Sequence, residues 1–85
     1  MSLRERFLDA IIDGKLGQGI IVTRQQCIQY FKDDPLTYTG VFLSNSELNT
    51  GQHSDYIHFT LRIGKGIYRV HPVALCERMR ERGIL

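Results

Sequence analysis

Hydrophobic and polar positions alternate most regularly in residues 56–72. Apolar side chains occupy every second position at the start of this stretch, at Ile57, Phe59, Leu61 and Ile63. That period is typical of a β-strand with one buried face. The sequence Gly64-Lys65-Gly66 follows, and its glycines suit a tight turn before a second β-rich run at 67–70. The pattern therefore predicts a β-hairpin whose first strand buries those four apolar side chains.

Helical spacing surrounds a short β-branched run in the first third of the chain. Two capping boxes, each a hydroxyl residue followed three positions later by Glu or Gln, mark helix starts at Ser2 with Glu5 and at Thr23 with Gln26. The apolar positions after them predict helices over about 3–13 and 24–32. The run 20–22 predicts a short strand that adds an edge to the hairpin.

Two further helices are predicted, one before and one after the hairpin. Residues 38–48 combine strand-like residue types with helical spacing, and we expect a helix over about 37–48. Its inward face would hold Tyr38, Val41, Phe42, Asn45 and Leu48. The His71-Pro72 pair is expected to open a last helix that ends at Gly83. The apolar line of that helix would be Val73, Cys76 and Met79.

Composition bounds the fold and the compartment. The 85 residues predict one domain over 1–85, with 42% hydrophobic and 24% charged residues. No segment approaches the roughly 18 apolar residues that span a bilayer, and charges interrupt the N-terminus where a signal peptide would be apolar. We therefore expect a cytoplasmic protein. Cys27 and Cys76 are expected to be structural thiols, with a disulfide or a partial metal site as the alternative.

Positive charge is concentrated around the predicted hairpin turn. Arg62, Lys65 and Arg69 lie close to it, so three cations would project from one end of a two-stranded ribbon. Such an end is either a solvated hairpin or a surface that binds an anion. The net charge of +2 permits a polyanionic partner without requiring one.

Catalytic and metal chemistry find little support in the sequence. The three histidines, His53, His58 and His71, have no spacing that brings a base, a nucleophile and an orienting group together. They also match no zinc-ligand spacing. The Gly64-Lys65-Gly66 turn lacks the Walker spacing and is followed by a strand rather than a helix. We therefore expect no catalytic residue, no metal site and no cofactor, and a small histidine-based enzyme is the weakest alternative.

The predicted order is helix, short strand, helix, helix, hairpin, helix. This order resembles the winged helix-turn-helix, an α+β fold with a three-helix core and a two-stranded wing hairpin. The resemblance extends to residues 39–45 and to Phe59, Arg62, Gly64, Gly66, Tyr68-Arg69 and Pro72. These are similar to small winged-helix modules of bacteria and phages, several of which occur beside restriction-type nucleases.

The resemblance implies binding to double-stranded DNA. The exposed part of the recognition helix would present Thr37, Thr39, Gly40, Ser44 and Asn45. Arg24 and Gln25 would lie near a phosphate, and Lys65, with Arg62 and Arg69 behind it, near the minor groove or its backbone. The expected function is that of a transcriptional regulator or a DNA-specificity module without catalysis.

Two alternatives to DNA reading stay open at the level of sequence. The predicted recognition helix has no Arg or Lys and carries Glu47, which is equally consistent with docking against a protein. A merely solvated face is the other interpretation of its polar residues. The same fold could also serve as a protein-interaction module, such as a phage inhibitor or an adaptor for a nuclease or polymerase subunit. A homodimer contact through the last helix would use Val73, Cys76, Met79 and Ile84.

Overall fold

The computed structural model describes residues 1–49 and 51–85. Within them the chain forms an α+β fold of five helices and a small antiparallel sheet. The elements follow in the order α1 (Leu3–Ile12), β1 (Ile21–Thr23), α2 (Arg24–Tyr30), α3 (Leu36–Thr39), α4 (Phe42–Asn45), β2 (Thr60–Gly64), β3 (Ile67–Val70) and α5 (Pro72–Glu81). None of the described helices has the length and apolar character needed to cross a membrane.

Both predicted capping boxes form. The Ser2 hydroxyl accepts a hydrogen bond from the Glu5 N–H at 3.1 Å, and the Glu5 carboxylate accepts from the Ser2 N–H at 3.1 Å. Thr23 and Gln26 make the same reciprocal pair at 3.0 and 2.9 Å. Each box satisfies N–H groups that the first helical turn leaves without an intrahelical partner. The predicted starts of α1 and α2 are therefore confirmed.

The sheet has the strand order β1-β3-β2, with both pairs antiparallel. The prediction that a short first strand adds an edge to the hairpin is confirmed, because Val22 pairs with Tyr68 at the centre of β3. The register shifts between Arg62 and Gly64, which leaves Ile63 as an extra residue on β2. The turn residues are Lys65 and Gly66, and Gly66 adopts a φ of 68°.

The prediction that four alternating apolar residues close the core is wrong for three of them. Phe59 is buried, but Ile57, Leu61 and Ile63 are 62, 45 and 51% exposed. The reason is that β2 begins at Thr60, which faces inward opposite Val70, so the next residue, Leu61, faces outward, and Ile57 lies in the preceding loop. Thr60 is fully buried, and its hydroxyl donates to the Leu43 carbonyl at 2.8 Å.

The single helix predicted over 37–48 is also wrong, because α3 and α4 are separate four-residue helices. Neither has a side-chain cap hydrogen bond among the described residues. After α4 the chain leaves helical geometry to pair with the start of β2. The Ser46 carbonyl accepts from the N–H groups of Phe59 and Thr60 at 2.8 and 2.9 Å, and the Leu48 N–H donates to the Thr60 carbonyl at 2.8 Å.

The inward face of α5 differs from the predicted apolar line. Its buried residues are Ala74, Leu75 and Arg78, whereas Val73 is 45% exposed. Cys76 is half-buried, and Met79 packs against the edge of the core. The prediction failed because Arg78 turns inward to bind carboxylates of α1. A charged residue with such partners can occupy a buried position that spacing alone assigns to an apolar one.

The core lies between α1, the inner face of the sheet and α5. Its aromatic centre is formed by Phe7, whose ring centroid lies 5.0 Å from that of Phe42 and 6.3 Å from that of Phe59. The buried apolar residues are Phe7, Leu8, Ala10, Ile11, Leu16, Val22, Cys27, Phe31, Leu43, Phe59, Tyr68, Val70, Ala74 and Leu75. This core fixes the hairpin relative to α2 and to the α3–α4 connection.

Candidate functional site

The start of α2 contacts both the hairpin tip and the α3–α4 connection through one residue, Arg24. Its backbone N–H donates to the Gly66 carbonyl at 2.8 Å. Its side-chain Nε donates to the Gly40 carbonyl, also at 2.8 Å. These two hydrogen bonds bring three segments together that are far apart in the sequence.

A cleft of about 500 Å³ opens between the start of α2 and the hairpin tip, and we call it the hairpin–α2 cleft. Its lining includes Gln25 and the tip lysine, Lys65, so the structure brings together three of the predicted DNA-binding residues, Arg24, Gln25 and Lys65. The full lining is Thr23, Arg24, Gln25, Lys65, Gly66 and Ile67.

Gly40 allows the close approach of Arg24. A Cβ atom at this position would lie 2.8 Å from the Leu36 carbonyl oxygen and 3.1 Å from Nη2 of Arg24. A larger residue would therefore displace the arginine or the end of α3. The hydrogen bond to Gly40 uses only Nε, and the described residues supply no further hydrogen bond to this side chain. Its Nη groups keep their donor capacity for an external acceptor.

The predicted phosphate-contacting cations are exposed and carry unneutralised charge. In the described residues no ion pair includes Arg24, Arg62, Lys65 or Arg69. The sequence explains part of this, because neither 14–32 nor 56–76 contains an Asp or a Glu. Opposite charges are instead paired elsewhere, as in the bidentate contact of Arg6 with Asp34 at 2.7 and 2.9 Å.

The three hairpin cations do not project together, which corrects the expectation from the sequence. Arg62 pairs with Tyr68 on the face of the sheet that continues into the core, and its Nε donates to the Gly64 carbonyl at 3.3 Å. Arg69 pairs with Leu61, one position away, and therefore lies on the opposite face. Lys65 alone occupies the tip.

The predicted base-reading residues separate into exposed and buried positions. Thr37, Ser44 and Asn45 are exposed on either side of the half-buried Gly40. Thr39 is 1% exposed and its hydroxyl lies 3.4 Å from the Pro35 carbonyl oxygen, so its predicted place on an exposed recognition surface is wrong. Its burial follows from the break after α3. Because α3 and α4 are separate helices, Thr39 does not share one exposed helical face with Ser44.

The same break exposes an apolar patch that sequence reasoning missed. Leu36, Tyr38 and Val41 are 61, 64 and 43% exposed around the α3–α4 connection. A continuous helix would have placed Tyr38, Val41 and Asn45 against the core. One residue of the sequence does disfavour a continuous helix here, because Gly40, a weak helix former, lies between α3 and α4.

The histidines have local structural partners. The His58 ring Nδ1 lies 3.2 Å from an Asp55 carboxylate oxygen, and hydrogen bonds from His58 and Ile57 lower the pKa of Asp55. His71 caps α5 by accepting from the Val73 N–H at 3.1 Å. His53 is exposed. In the part of the chain that the structure describes, no three potential metal ligands come together.

Both cysteines are free thiols. Cys27 is fully buried, and burial raises the pKa of its thiol to about 11. Of the residues predicted for a dimer contact, Val73 and Ile84 are exposed, whereas Met79 packs against the core and Cys76 is half-buried. The exposed part of that predicted surface is therefore small.

Comparison with known proteins gives no family for the chain. No protein-family model matches it, and no curated protein or solved structure matches it significantly.

Proposed function

We propose that this chain is a winged helix-turn-helix domain that binds double-stranded DNA. The hairpin of β2 and β3 is the wing, β1 pads its edge, and α2 with the α3–α4 segment is the helix-turn-helix unit. The element order and the β1-β3-β2 sheet support this assignment of roles.

The observation that carries the proposal is the double attachment of Arg24. Its hydrogen bonds to Gly66 and Gly40 hold the wing tip and the α3–α4 connection beside the same exposed guanidinium. A duplex lying along this side of the molecule would contact the wing and the helix-turn-helix unit together. Arginine suits this position because its planar donors bind phosphate in a fixed geometry.

The proposed roles of the residues follow from charge and exposure. Arg24 and Lys65 contact phosphates from the hairpin–α2 cleft, with Gln25 beside them. Arg62 and Arg69 add positive charge on the two faces of the wing. Thr37, Ser44 and Asn45 reach base edges. Because none of these three is charged, affinity comes mainly from phosphates and depends strongly on salt.

The proposed function is binding without catalysis, as in a cytoplasmic transcriptional regulator or a DNA-specificity module. Fluorescence anisotropy with a random-sequence duplex at about 50 mM salt tests it, because low salt maximises binding to phosphates. We expect saturable binding that weakens as salt is raised. A complete lack of binding under these conditions would contradict the proposal.

The apolar patch formed by Leu36, Tyr38 and Val41 favours a second candidate function. Exposed aromatic and aliphatic side chains of this kind mark protein interfaces more often than DNA interfaces. In this alternative the α3–α4 segment binds a partner protein, such as a nuclease or polymerase subunit. Failure of DNA binding in the anisotropy experiment, combined with an unfolding transition typical of a folded domain, would favour it.

A further inference from the structure

Arg4 is a buried arginine that has no carboxylate partner among residues 1–49 and 51–85. The residue is 8% exposed, and its Nε donates to the Tyr56 carbonyl at 2.7 Å. Its Nη1 is buried without a hydrogen-bond partner anywhere in the described chain. The other buried arginine, Arg78, is bound by several carboxylates. A buried guanidinium without a counter-charge is unfavourable, so Arg4 calls for an explanation.

Two aromatic rings partly compensate the positive charge of Arg4 through cation–π contacts. The guanidinium carbon of Arg4 lies 3.9 Å from the centroid of the Tyr56 ring and 5.5 Å from that of Phe59. Cation–π contacts of this geometry are attractive, but they leave the buried Nη1 donors without an acceptor. Tyr56 is also 58% exposed, so burial does not hold its ring over the guanidinium.

A small apolar pocket is lined in part by Arg4. Its volume is about 200 Å³, and apart from Arg4 its walls are aromatic, aliphatic or hydroxyl-bearing. The Ser46 hydroxyl already donates to the Phe42 carbonyl at 2.9 Å, and the other hydroxyl of the lining belongs to Tyr56. The lining is Arg4, Phe42, Ser46, Tyr56, Ile57 and Phe59. The pocket therefore offers one cation beside an apolar space about as large as a single aromatic side chain.

We propose that this pocket binds a carboxylate attached to one compact apolar group. The carboxylate would accept from the Nη donors of Arg4 in the planar geometry that guanidinium and carboxylate share, while the apolar group fills the space beside Phe42 and Ile57. The Tyr56 ring would move away from the guanidinium to admit the ligand and would then lie over the bound ligand. This site is separate from the hairpin–α2 cleft and does not depend on the proposed DNA binding.

Benzoate and benzamide test the proposal without altering the protein, because they share shape and differ in charge. We expect benzoate to give saturable ¹H–¹⁵N shift changes at Arg4 Nε and at the Ser46 and Ile57 amides, with a Kd of about 1 mM or tighter. Benzamide should bind at least about tenfold more weakly, equivalent to the loss of one charge-assisted interaction. Equal binding of the two probes, or no saturation by benzoate below about 20 mM, would overturn the proposal.

Protein variants locate the site. Arg4→Gln should abolish benzoate binding, whereas Arg80→Gln, which removes an exposed arginine of α5, should leave it unchanged. Retention of benzoate binding in a folded Arg4→Gln variant would contradict the assignment. A short peptide that ends in leucine, compared with its C-terminal amide, distinguishes a chain terminus from a free acid. Tighter binding of the free-carboxyl peptide than of benzoate would identify the terminus as the source of the same chemistry.

Discussion

At the scale of single residues, the arginines differ most in their partners. Arg78 has Glu81 three positions later on the same helix, a spacing at which side chains are neighbours. The structure retains Glu81 at 3.2 Å but adds Asp9 at 2.8 Å and Glu5 at 3.1 Å from α1. Spacing shows only neighbours on one helix, so it could not reveal carboxylates about 70 residues away in the chain.

Replacing Arg78 by Gln should destabilise the protein by about 2 kcal/mol. The substitution leaves Asp9, whose side chain is only 19% exposed, without its closest cation. The cost is smaller than that of a fully buried pair because water still reaches the carboxylates. Urea denaturation at pH 7 measures it, with the exposed Arg80→Gln variant as the control. Equal stability of both variants would contradict the structural role of Arg78.

The same interaction gives stability a defined pH dependence. Hydrogen bonding from Arg78 lowers the pKa of the Asp9 carboxyl, and hydrogen bonds from Ser2, chiefly from its backbone, lower that of Glu5. A lowered folded-state pKa stabilises the fold above the ordinary carboxyl pKa of about 4 and loses this effect as pH falls through the lowered value. Between pH 7 and about pH 3, the free energy of unfolding of the Arg78→Gln variant should therefore fall by less than that of the wild type. A loss as large as that of the wild type would show that Arg78 does not set the Asp9 pKa.

At the scale of elements, the capping boxes and the hairpin could be predicted from local sequence. Which alternate side chains of β2 face the core could not. Alternation of apolar residues indicates a strand but not where pairing begins. Thr60 pairs with Val70 on the inner face, so Leu61 points outward with Arg69. The end of α4 has the same origin, since the chain leaves it through contacts between Ser46 and the start of β2, whereas the break between α3 and α4 lies at Gly40, a weak helix former.

Two alanine substitutions test directly which of the alternating side chains are buried. Phe59→Ala removes a ring that is 1% exposed and should cost about 3–5 kcal/mol of stability. Leu61→Ala removes a side chain that is 45% exposed and should cost less than about 1 kcal/mol. Thermal or urea unfolding of both variants measures the difference. Similar costs in stability at the two positions would mean that the Leu61 side chain is buried like that of Phe59.

At the scale of the whole molecule, the charges are segregated in a way that the net charge of +2 conceals. Ion pairs join α1 to α5 and its C-terminal cap, because Arg78 and Arg82 both bind Asp9 of α1. The hairpin and the start of α2 contain cations and no acidic residue. The sequence locates these charges along the chain. Only the fold brings Arg24, Gly40 and the hairpin tip together, because their hydrogen bonds connect separate elements.

The central claim, that the wing side binds duplex DNA, is tested most directly by the salt dependence of binding. Each neutralised phosphate contributes about 0.9 to the slope of log K against log salt. We predict that Lys65→Ala combined with Arg62→Ala weakens binding to all sequences and flattens the slope by up to about 2, whereas Arg80→Ala leaves the slope unchanged. An unchanged slope and affinity in the double variant, measured by anisotropy on the same random duplex, would contradict the claim.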